Sequence, residues 1–309
     1  MSTVATSAAV PTRMFQERRF PLSLSRSIPS IRELYENAKA ARWDPERDLD
    51  WASIAEATWP DPVRDAARTI WSRRAWVEYT GLSETPALLI RFCLEAGRES
   101  DPKLFLTVRN TEEAWHVECF HRFAERLGGY VDRPSDPAWE PVFDQGLYRR
   151  ALDADQSLDE YVSVHCAIED GLELALYEAY LGNATHPLVK SMLDKVVADK
   201  QRHAAFGWMY LDSRLDQLDA DARAAIVARI GGWVREVALH GYHVASLSTQ
   251  IDTGALGQMA RLAAEAGLGA IDAKAEQQVF VDCFDRARRR LDEAGLTLPG
   301  FEHPLLGRF

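Results

Sequence analysis

The chain has 309 residues, of which 47% are hydrophobic and 27% are charged, a balance typical of soluble globular proteins. Its formal net charge of −11 argues against nucleic acid or an anionic membrane as a main partner, because both demand a basic surface. No apolar run approaches the roughly 20 residues that span a bilayer, and the four cysteines lack CxxC spacing. We therefore expect a cytoplasmic protein with buried thiols and no disulfide framework.

The predicted elements follow a polar N-terminal extension. Residues 1–59 are expected to be partly irregular, with a short helix at Ser30–Ala41 and no signal peptide. A long helix is predicted from Asp61 to about Ala96, where Asp61 serves as N-cap and a proline takes the first helical position. The same Asp-Pro start opens a second helix, which ends at Gly128-Gly129.

The rest of the chain also has helical patterns. Residues 130–156 contain three prolines and are predicted to form a long connection. Third and fourth helices are predicted at Ser157–Leu181 and from Pro187 to about Leu215. Further helices are expected at Asp219–Thr249, Thr253–Ala266 and Asp272–Ala294. No segment alternates with period two, so the chain is predicted to be all-α. We expect a helical bundle at 60–215 with C-terminal helices at 216–309 packed on it, in a single domain.

Glu113-Ala114-Trp115-His116, in the middle of the second helix, carries the first chemical signal. Glu and His three residues apart on a helix lie on one face, so both side chains are able to reach one metal ion. Glu84, on the first helix, is as far from the intervening turn as Glu113, so an antiparallel hairpin brings the two level. In the third and fourth helices, Glu169 and position 200 are likewise equally far from the turn that joins the helices, so they are also expected to lie level. Acidic and imidazole groups are therefore predicted near the middle of two hairpins.

This order of residues, completed by His203, resembles that of the ferritin-like di-iron carboxylate oxygenases and of ribonucleotide reductase radical subunits. The resemblance covers roughly residues 60–215. It implies a ferritin-like four-helix bundle whose long crossover is the 130–156 connection. It also implies iron as the cofactor, with two ions expected and one ion or manganese as alternatives. The metal ligands that it assigns are Glu84, Glu113, His116, Glu169 and His203.

The second motif departs from the family pattern. The family usually has Asp-Glu-x-Arg-His, whereas this chain has Asp199-Lys200-Gln201-Arg202-His203. A protonated ammonium cannot ligate a metal ion and repels it. Three outcomes are open: Asp199 or Glu173 replaces the missing carboxylate, Lys200 pairs with the glutamates in place of a metal, or Asp199 and His203 are the ligands in another register. Asp199, which the family uses to orient a histidine, is therefore a further candidate as ligand or orienting group, together with Lys200, Glu173 and His165.

The choice between two glutamates of the first predicted helix depends on the expected helix geometry. Glu84 is preferred to Glu78, on the same predicted helix, because Glu84 lies level with Glu113. His240 and His243 are assigned to the surface or to an interface. The third outcome, in which Asp199 and His203 are the ligands, would resemble the haem-oxygenase-like di-iron oxidases, which share the same order of motifs. The chain length and the extra C-terminal helices favour the ferritin-like fold.

Carboxylate-rich sites with few nitrogen ligands suit iron or manganese and the activation of O2. The predicted function is that of a non-haem di-iron-type oxidoreductase, an oxidase or monooxygenase that acts on a small organic substrate. An external electron donor is expected if reducing equivalents are needed, and the protein is expected to be a homodimer. The alternative is a metal-poor or metal-free scaffold subunit of a hydroxylase complex, which Lys200 favours. Iron storage is a weaker rival, because the chain is much larger than a plain four-helix bundle.

Overall fold

The structure is a computed structural model, and it describes residues 26–95, 98–132, 147–249 and 253–309. The all-α prediction is confirmed. Within these ranges the only strands are a two-residue antiparallel pair, β1 (Glu302–His303) and β2 (Gly307–Arg308). The helices are α1 (Pro29–Ala40), α2 (Asp61–Glu78), α3 (Gly81–Leu94), α4 (Ser100–Arg126), α5 (Leu147–Ala151), α6 (Leu158–Val162), α7 (Asp170–Asn183), α8 (Pro187–Arg214), α9 (Ala220–Glu236), α10 (Gly254–Glu265) and α11 (Ala273–Glu293).

Two helical hairpins form the centre of the fold. α2 and α3 pack against α4, and α7 packs against α8. α1 lies on α4 and α8, while α10 packs on α2 and α11 on α7, so the C-terminal helices cover the bundle. Of the predicted crossover, residues 133–146 lie outside the described part, and the remainder contains the short α5. Among the described helices, none has both the length and the apolar character that a bilayer span requires.

The first long helix is interrupted, so the prediction of one continuous helix is wrong. α2 ends at Glu78 and α3 begins at Gly81. The hydroxyl of Thr80 donates a hydrogen bond of 2.6 Å to a backbone carbonyl in the last turn of α2. Gly81 has a low helix propensity, and Pro86 lacks the N–H that a continuous helix would use. The break leaves Glu78 at the end of one helix and Glu84 in the first turn of the next.

A π-helical turn, Ser163–Glu169, joins α6 to α7 where the sequence predicts a regular helix. The wider hydrogen-bonding pattern of such a turn re-aims the side chains on it, and π turns are frequent at functional sites. α8 passes very close to this turn. A Cβ on Gly207 of α8 would lie 2.0 Å from the carbonyl carbon and oxygen of Cys166. Glycine at this position is therefore what allows α8 to pack against the π turn.

α9 ends at Glu236, whereas the sequence predicts that this helix continues to Thr249. Val237 leaves the helical conformation, and Gly241 adopts a left-handed φ of +94°. The chain then turns back toward the π turn. The side chain of His243 is 6% exposed and lies inside the fold, so its assignment to the surface is wrong.

Buried polar side chains lie between two apolar clusters. The larger cluster includes Phe120, and the smaller one includes Phe105. His116 lies against Phe120, with ring centroids 6.3 Å apart, and His203 lies against Phe105, with centroids 6.4 Å apart. The two imidazoles therefore border a polar layer that is closed by apolar side chains on both sides.

The contact at Gly207 gives a test of how the π turn is held. We expect Gly207→Ala to lower the free energy of unfolding by at least about 2 kcal/mol, because the backbone of Cys166 has to move to admit the methyl group. Gly232→Ala in α9 is the matched control: a Cβ there meets nothing within 4 Å, and the substitution is expected to raise the free energy of unfolding by about 0.5 kcal/mol. Urea denaturation of both variants measures the difference. Equal stability of the two variants would contradict the close crossing.

Candidate functional site

Lys200, on α8, is buried between two carboxylates. Its Nζ lies 2.6 Å from Oε1 of Glu78 and donates a hydrogen bond of 2.6 Å to Oε2 of Glu173. Tyr177 donates its hydroxyl to Oε1 of Glu78 at 3.2 Å, and its ring centroid lies 5.2 Å from the ammonium. The lysine side chain is 3% exposed, so water and salt screen these ion pairs very little.

The ion pairs keep Lys200 charged. Burial lowers the pKa of Lys200, but the carboxylates of Glu173 and Glu78 outweigh it and hold this pKa well above its usual range. Burial raises the pKa of Glu78, but Lys200 and His116 outweigh it and hold this pKa well below its usual range. The ammonium is therefore a fixed positive charge in the interior at neutral pH.

Asp199 orients His116. Oδ2 of Asp199 lies 3.0 Å from Nε2 of His116 and accepts a hydrogen bond of 2.9 Å from the indole N–H of Trp43. Nδ1 of His116 faces Glu78 at 3.5 Å from Oε2, and it has no hydrogen-bond partner in the described structure. Burial lowers the pKa of His116, but the bond to Asp199 and the proximity of Glu78 raise it to about 9. Without a bound ion, His116 is therefore protonated at neutral pH.

His203 takes a separate partner. Its Nε2 lies 2.9 Å from Oε2 of Glu112, and Nη2 of Arg202 donates a hydrogen bond of 2.6 Å to Oε1 of the same carboxylate. Arg202 also bonds Asp199, which joins this group to His116. Burial and the neighbouring cations lower the pKa of His203 well below its usual range, so the ring is neutral. Burial raises the pKa of Glu112 to about 7.

Glu113 has one bonded and one open oxygen. Its Oε1 accepts hydrogen bonds of 2.9 Å from Nε of Arg109 and from the hydroxyl of Thr85. Its Oε2 is buried and has no hydrogen-bond partner among the described residues. Burial raises the pKa of Glu113 to about 7 in spite of Arg109, whose two terminal nitrogens bond Asp170 at 2.7 and 3.0 Å. Gly81 leaves the space that this carboxylate needs, because a Cβ there would lie 3.0 Å from its carboxyl carbon.

Glu169 lies between two histidines. Nδ1 of His165, one turn earlier, is 2.6 Å from Oε2, and Nε2 of His243 is 3.0 Å from Oε1. Burial raises the pKa of Glu169, but these two contacts outweigh it and lower the pKa to about 2. Nearby, Tyr161 donates a hydrogen bond of 2.7 Å to Glu84, whose pKa is raised by burial. Glu169 is therefore ionised at neutral pH, whereas the environment of Glu84 favours its neutral form.

One cavity, the charged cavity, connects these groups. It encloses about 30 Å³, which is enough for a metal ion or a water molecule. Two cations, Lys200 and Arg109, line it together with two imidazoles, His165 and His243. The acidic lining consists of Glu78, Glu84, Glu113, Glu169, Asp170 and Glu173. Because carboxylates outnumber the fixed cations, the cavity favours an additional positive charge.

The five predicted metal ligands do not share one surface. Glu84, Glu113 and Glu169 line the charged cavity, whereas His116 and His203 are not part of its lining. In the portion of the chain that the structure describes, no three His, Cys, Asp or Glu side chains are grouped as a ligand shell. The ligand set therefore stays a prediction. The additional candidates Glu173, Lys200 and His165 line the charged cavity, while Asp199 lies behind His116.

Several contributors to the site were not predicted from the sequence, among them Glu78, Glu112 and His243. Glu78 contacts both Lys200 and His116. Because the helix is broken after Glu78, the residues of the first hairpin that lie at the same height differ from those that one unbroken helix predicts. Glu112, next to the recognised motif, partners His203. His243 reaches Glu169 from a loop after α9, and Gly241 was the available signal that the helix ends before it.

Comparison with known proteins shows where this fold occurs. No protein-family model matches the sequence, and no curated protein is significantly similar to it. Solved structures of an R2-like ligand-binding oxidase do match. One, with an aerobically reconstituted metal cofactor after photoconversion, has 19% identity and a TM-score of 0.65, and the match covers 84% of this chain and 92% of that chain. Another, with a Mn/Fe cofactor reconstituted aerobically in a long soak, has 18% identity, the same TM-score of 0.65 and the same coverage of 84% and 92%.

The chain has the R2-like fold. This confirms the ferritin-like bundle that the sequence predicts. At 19% identity the likeness concerns the path of the backbone, so the chemistry has to be argued from the side chains of the charged cavity.

The buried ion pairs of Lys200 predict a large stability effect. We expect Lys200→Met to lower the free energy of unfolding at neutral pH by about 3 kcal/mol or more, because Glu78 and Glu173 would then be buried without their cation. Lys190→Met, at an exposed position of the same helix, is the matched control and should change stability by less than about 0.5 kcal/mol. Chemical denaturation gives both values. A Lys200→Met variant as stable as the control would show that the ion pairs are not formed.

The raised pKa of Glu113 predicts a pH dependence. In the folded protein this pKa is about 7, against an ordinary value of 4.5, so the folded state binds the proton more tightly than the unfolded chain. The contribution of Glu113 to stability is therefore full below about pH 4.5 and is lost as the pH rises through about 7. Glu113→Gln, which cannot ionise, should gain stability relative to the wild type between pH 5 and 8, by on the order of 3 kcal/mol.

The measurement is the free energy of unfolding at each pH, with a chelator present to remove metal ions. Glu118→Gln is the control, because Glu118 is exposed on the same helix and its charge stays solvated. A difference between Glu113→Gln and the wild type that does not change with pH would show that Glu113 ionises as it does in the unfolded chain.

Proposed function

We propose that this protein is a non-haem oxidase or oxygenase that binds iron or manganese between the charged cavity and His116, where Glu78 borders both, and uses O2 to oxidise a small organic molecule. The observation that carries this proposal is a pair of open donor atoms on one face of α4. Oε2 of Glu113 and Nδ1 of His116 are both buried without a hydrogen-bond partner. Buried polar atoms without partners are costly, and a bound cation would remove that cost. The oxidases that share the fold carry a Mn/Fe cofactor, which supports the same metals here.

The open atoms have further donors beside them, which would have to move to surround one ion, because no three of them form a ligand shell in the described residues. Glu113 and His116 would hold it, and Glu78, whose Oε2 lies 3.5 Å from Nδ1 of His116, would be a third ligand. Glu84 and Glu169 are the carboxylates that would complete the set across the charged cavity. Mixed carboxylate and imidazole donors of this kind suit Fe(II) and Mn(II), and such an ion supplies the capacity to activate O2.

Lys200 takes the place of a second ion. The family pattern has a glutamate at this position, and a carboxylate with a divalent ion together contribute one positive charge. The ammonium of Lys200 contributes the same charge by itself, and Glu78 and Glu173 already bind it. The charge of the interior is therefore balanced with one ion fewer. This supports a single iron or manganese ion per chain, where the family resemblance suggests two.

The chain's own groups supply positioning and proton transfer. Asp199, held by Trp43, fixes the ring of His116 so that Nδ1 faces Glu78. The pKa of Glu113 is about 7 with no ion bound, so its carboxyl group would release a proton when it binds the ion. The apolar clusters on both sides of the polar layer limit the access of water to the site.

Metal analysis tests the proposal directly. Purified protein incubated with Fe(II) or Mn(II) and then desalted is expected to retain about one ion per chain, measured by plasma mass spectrometry. Glu113→Ala should lose this ion, whereas Glu118→Ala, at an exposed position of the same helix, should keep it. Lys200→Glu should raise the content toward two ions per chain, because it replaces the ammonium by a ligand. Lys190→Glu is the charge-matched control and should leave the content unchanged.

A metal-free scaffold subunit is the second candidate, and the two ion pairs of Lys200 favour it. Wild-type protein that retains no iron or manganese and consumes no O2 with reductant present would support the scaffold and contradict the oxidase. Retention of the full metal content by Glu113→Ala would contradict the assignment of the site while leaving the oxidase in place.

A further inference from the structure

A second cavity, the outer groove, lies on the side of the bundle that the π turn, α7, α8 and α11 form. Its volume of about 230 Å³ is about seven times the ~30 Å³ that one water molecule occupies in the liquid, so it admits a small organic molecule. None of the described residues lines both the outer groove and the charged cavity. The proposed oxidase function therefore leaves this groove without a role.

The floor of the outer groove is apolar and is made largely of small side chains. It is formed by the π turn and α7 on one side and by α11 on the other, through Ala167, Ile168, Gly171, Leu174, Ala175 and Ala287. A Cβ on Gly171 would meet nothing within 4 Å, so the space above this part of α7 is open. An apolar group in the groove would therefore pack close to the helix surface.

An aromatic ring and a thiol complete the apolar lining. The ring of Trp208, on α8, lines the groove, and the guanidinium carbon of Arg290 lies 4.3 Å from its centroid. Arg290 is itself held by Asp212 at 3.0 Å, so cation and ring stay in contact. Cys283, on α11, is 8% exposed at the groove. Apolar, small and aromatic groups together suit an aliphatic or aromatic side chain.

Two exposed side chains of opposite charge border the groove. Glu178 extends from α7 and Arg286 from α11, and neither forms an ion pair or a hydrogen bond within the part of the chain that the structure describes. Burial raises the pKa of Cys283 to about 11, while Arg286 lowers this pKa and Glu178 raises it, so both charges lie near the thiol.

These two charges select for a ligand that carries both signs. A simple anion would engage Arg286 and leave Glu178 beside a negative charge, and a simple amine would do the reverse. A zwitterion engages both side chains at once and adds no net charge.

We propose that the outer groove binds a free α-amino acid with an apolar side chain. Its carboxylate contacts Arg286, its ammonium contacts Glu178, and its side chain lies on the floor beside Trp208. This binding goes beyond the proposed oxidase function and does not depend on it. Because Ala167 and Ile168 belong to the π turn, the bound side chain would contact the segment that also supplies His165 and Glu169 to the charged cavity.

The test is calorimetric titration of the full-length, chelator-treated protein with leucine and phenylalanine. N-acetyl-leucine lacks the ammonium and leucinamide lacks the carboxylate, and each is expected to bind at least about threefold more weakly than leucine. The expected factor is small because ion pairs at exposed side chains contribute little. Glu178→Gln and Arg286→Gln should each weaken leucine binding by a similar factor. Arg289→Gln, at an exposed position of α11, is the control and should bind leucine as the wild type does.

The derivatives also show which charge each side chain recognises. Glu178→Gln should bind N-acetyl-leucine as the wild type does, because the derivative has no ammonium to lose. Arg286→Gln should bind leucinamide as the wild type does, because that derivative has no carboxylate. Loss of both derivatives in both variants would show a general disturbance of the groove and would contradict the assigned contacts.

Alkylation of the cysteines locates the bound amino acid. Saturating leucine should slow the reaction of Cys283 with N-ethylmaleimide and leave the rate of the exposed Cys93 unchanged, as measured for each peptide by mass spectrometry. Saturable binding of leucine without protection of Cys283 would place the ligand elsewhere and overturn the proposal.

Binding of neither amino acid at about 10 mM, equal binding of leucine and both derivatives, or wild-type affinity in either Glu178→Gln or Arg286→Gln would also overturn it. Because the titration uses metal-free protein, it is independent of the oxidase function. A chain that binds leucine in the groove but never retains iron or manganese would refute the oxidase function and not this site.

Discussion

The interior of this bundle depends on the compensation of buried charge. Six carboxylates line a cavity that encloses about 30 Å³, and isolated ionised groups are not tolerated in such a place. Lys200 and Arg109 neutralise part of this charge, and two histidines contact the carboxylate of Glu169. Glu113 and Glu84 instead have raised pKa values, so protonation is their route to neutrality when no cation is bound. The state of the site is therefore set by which positive charges are available to it.

Much of the fold follows from the sequence because helix starts and stops are local signals. Proline after aspartate marks the start of α2, and Asp219 and Asp272 cap α9 and α11 with their side chains. The interruptions are different in kind. The break after Glu78 and the π turn at Ser163–Glu169 depend on how two helices meet, and periodicity within one segment does not report such contacts.

The site was predictable in part for the same reason. Glu113 and His116 are recognisable by their spacing on one helix, and Glu84 and Glu169 line one cavity with Glu113, as equal distances from the hairpin turns predict. Glu78 could not be found in this way, because the equal distances hold only for an unbroken helix. His243 could not be found either, because it lies 74 residues beyond its partner Glu169. That contact is formed by the loop after α9. Gly241 signals that the helix ends, but no local pattern specifies where the loop goes.

The contribution of His243 has a consequence for the making of the protein. During synthesis the four bundle helices emerge first, and at that stage Glu169 has His165 but lacks its second imidazole. The carboxylate-rich cavity is completed only when the loop after α9 has been translated and has folded back. Assembly of the site is thereby delayed until most of the chain exists.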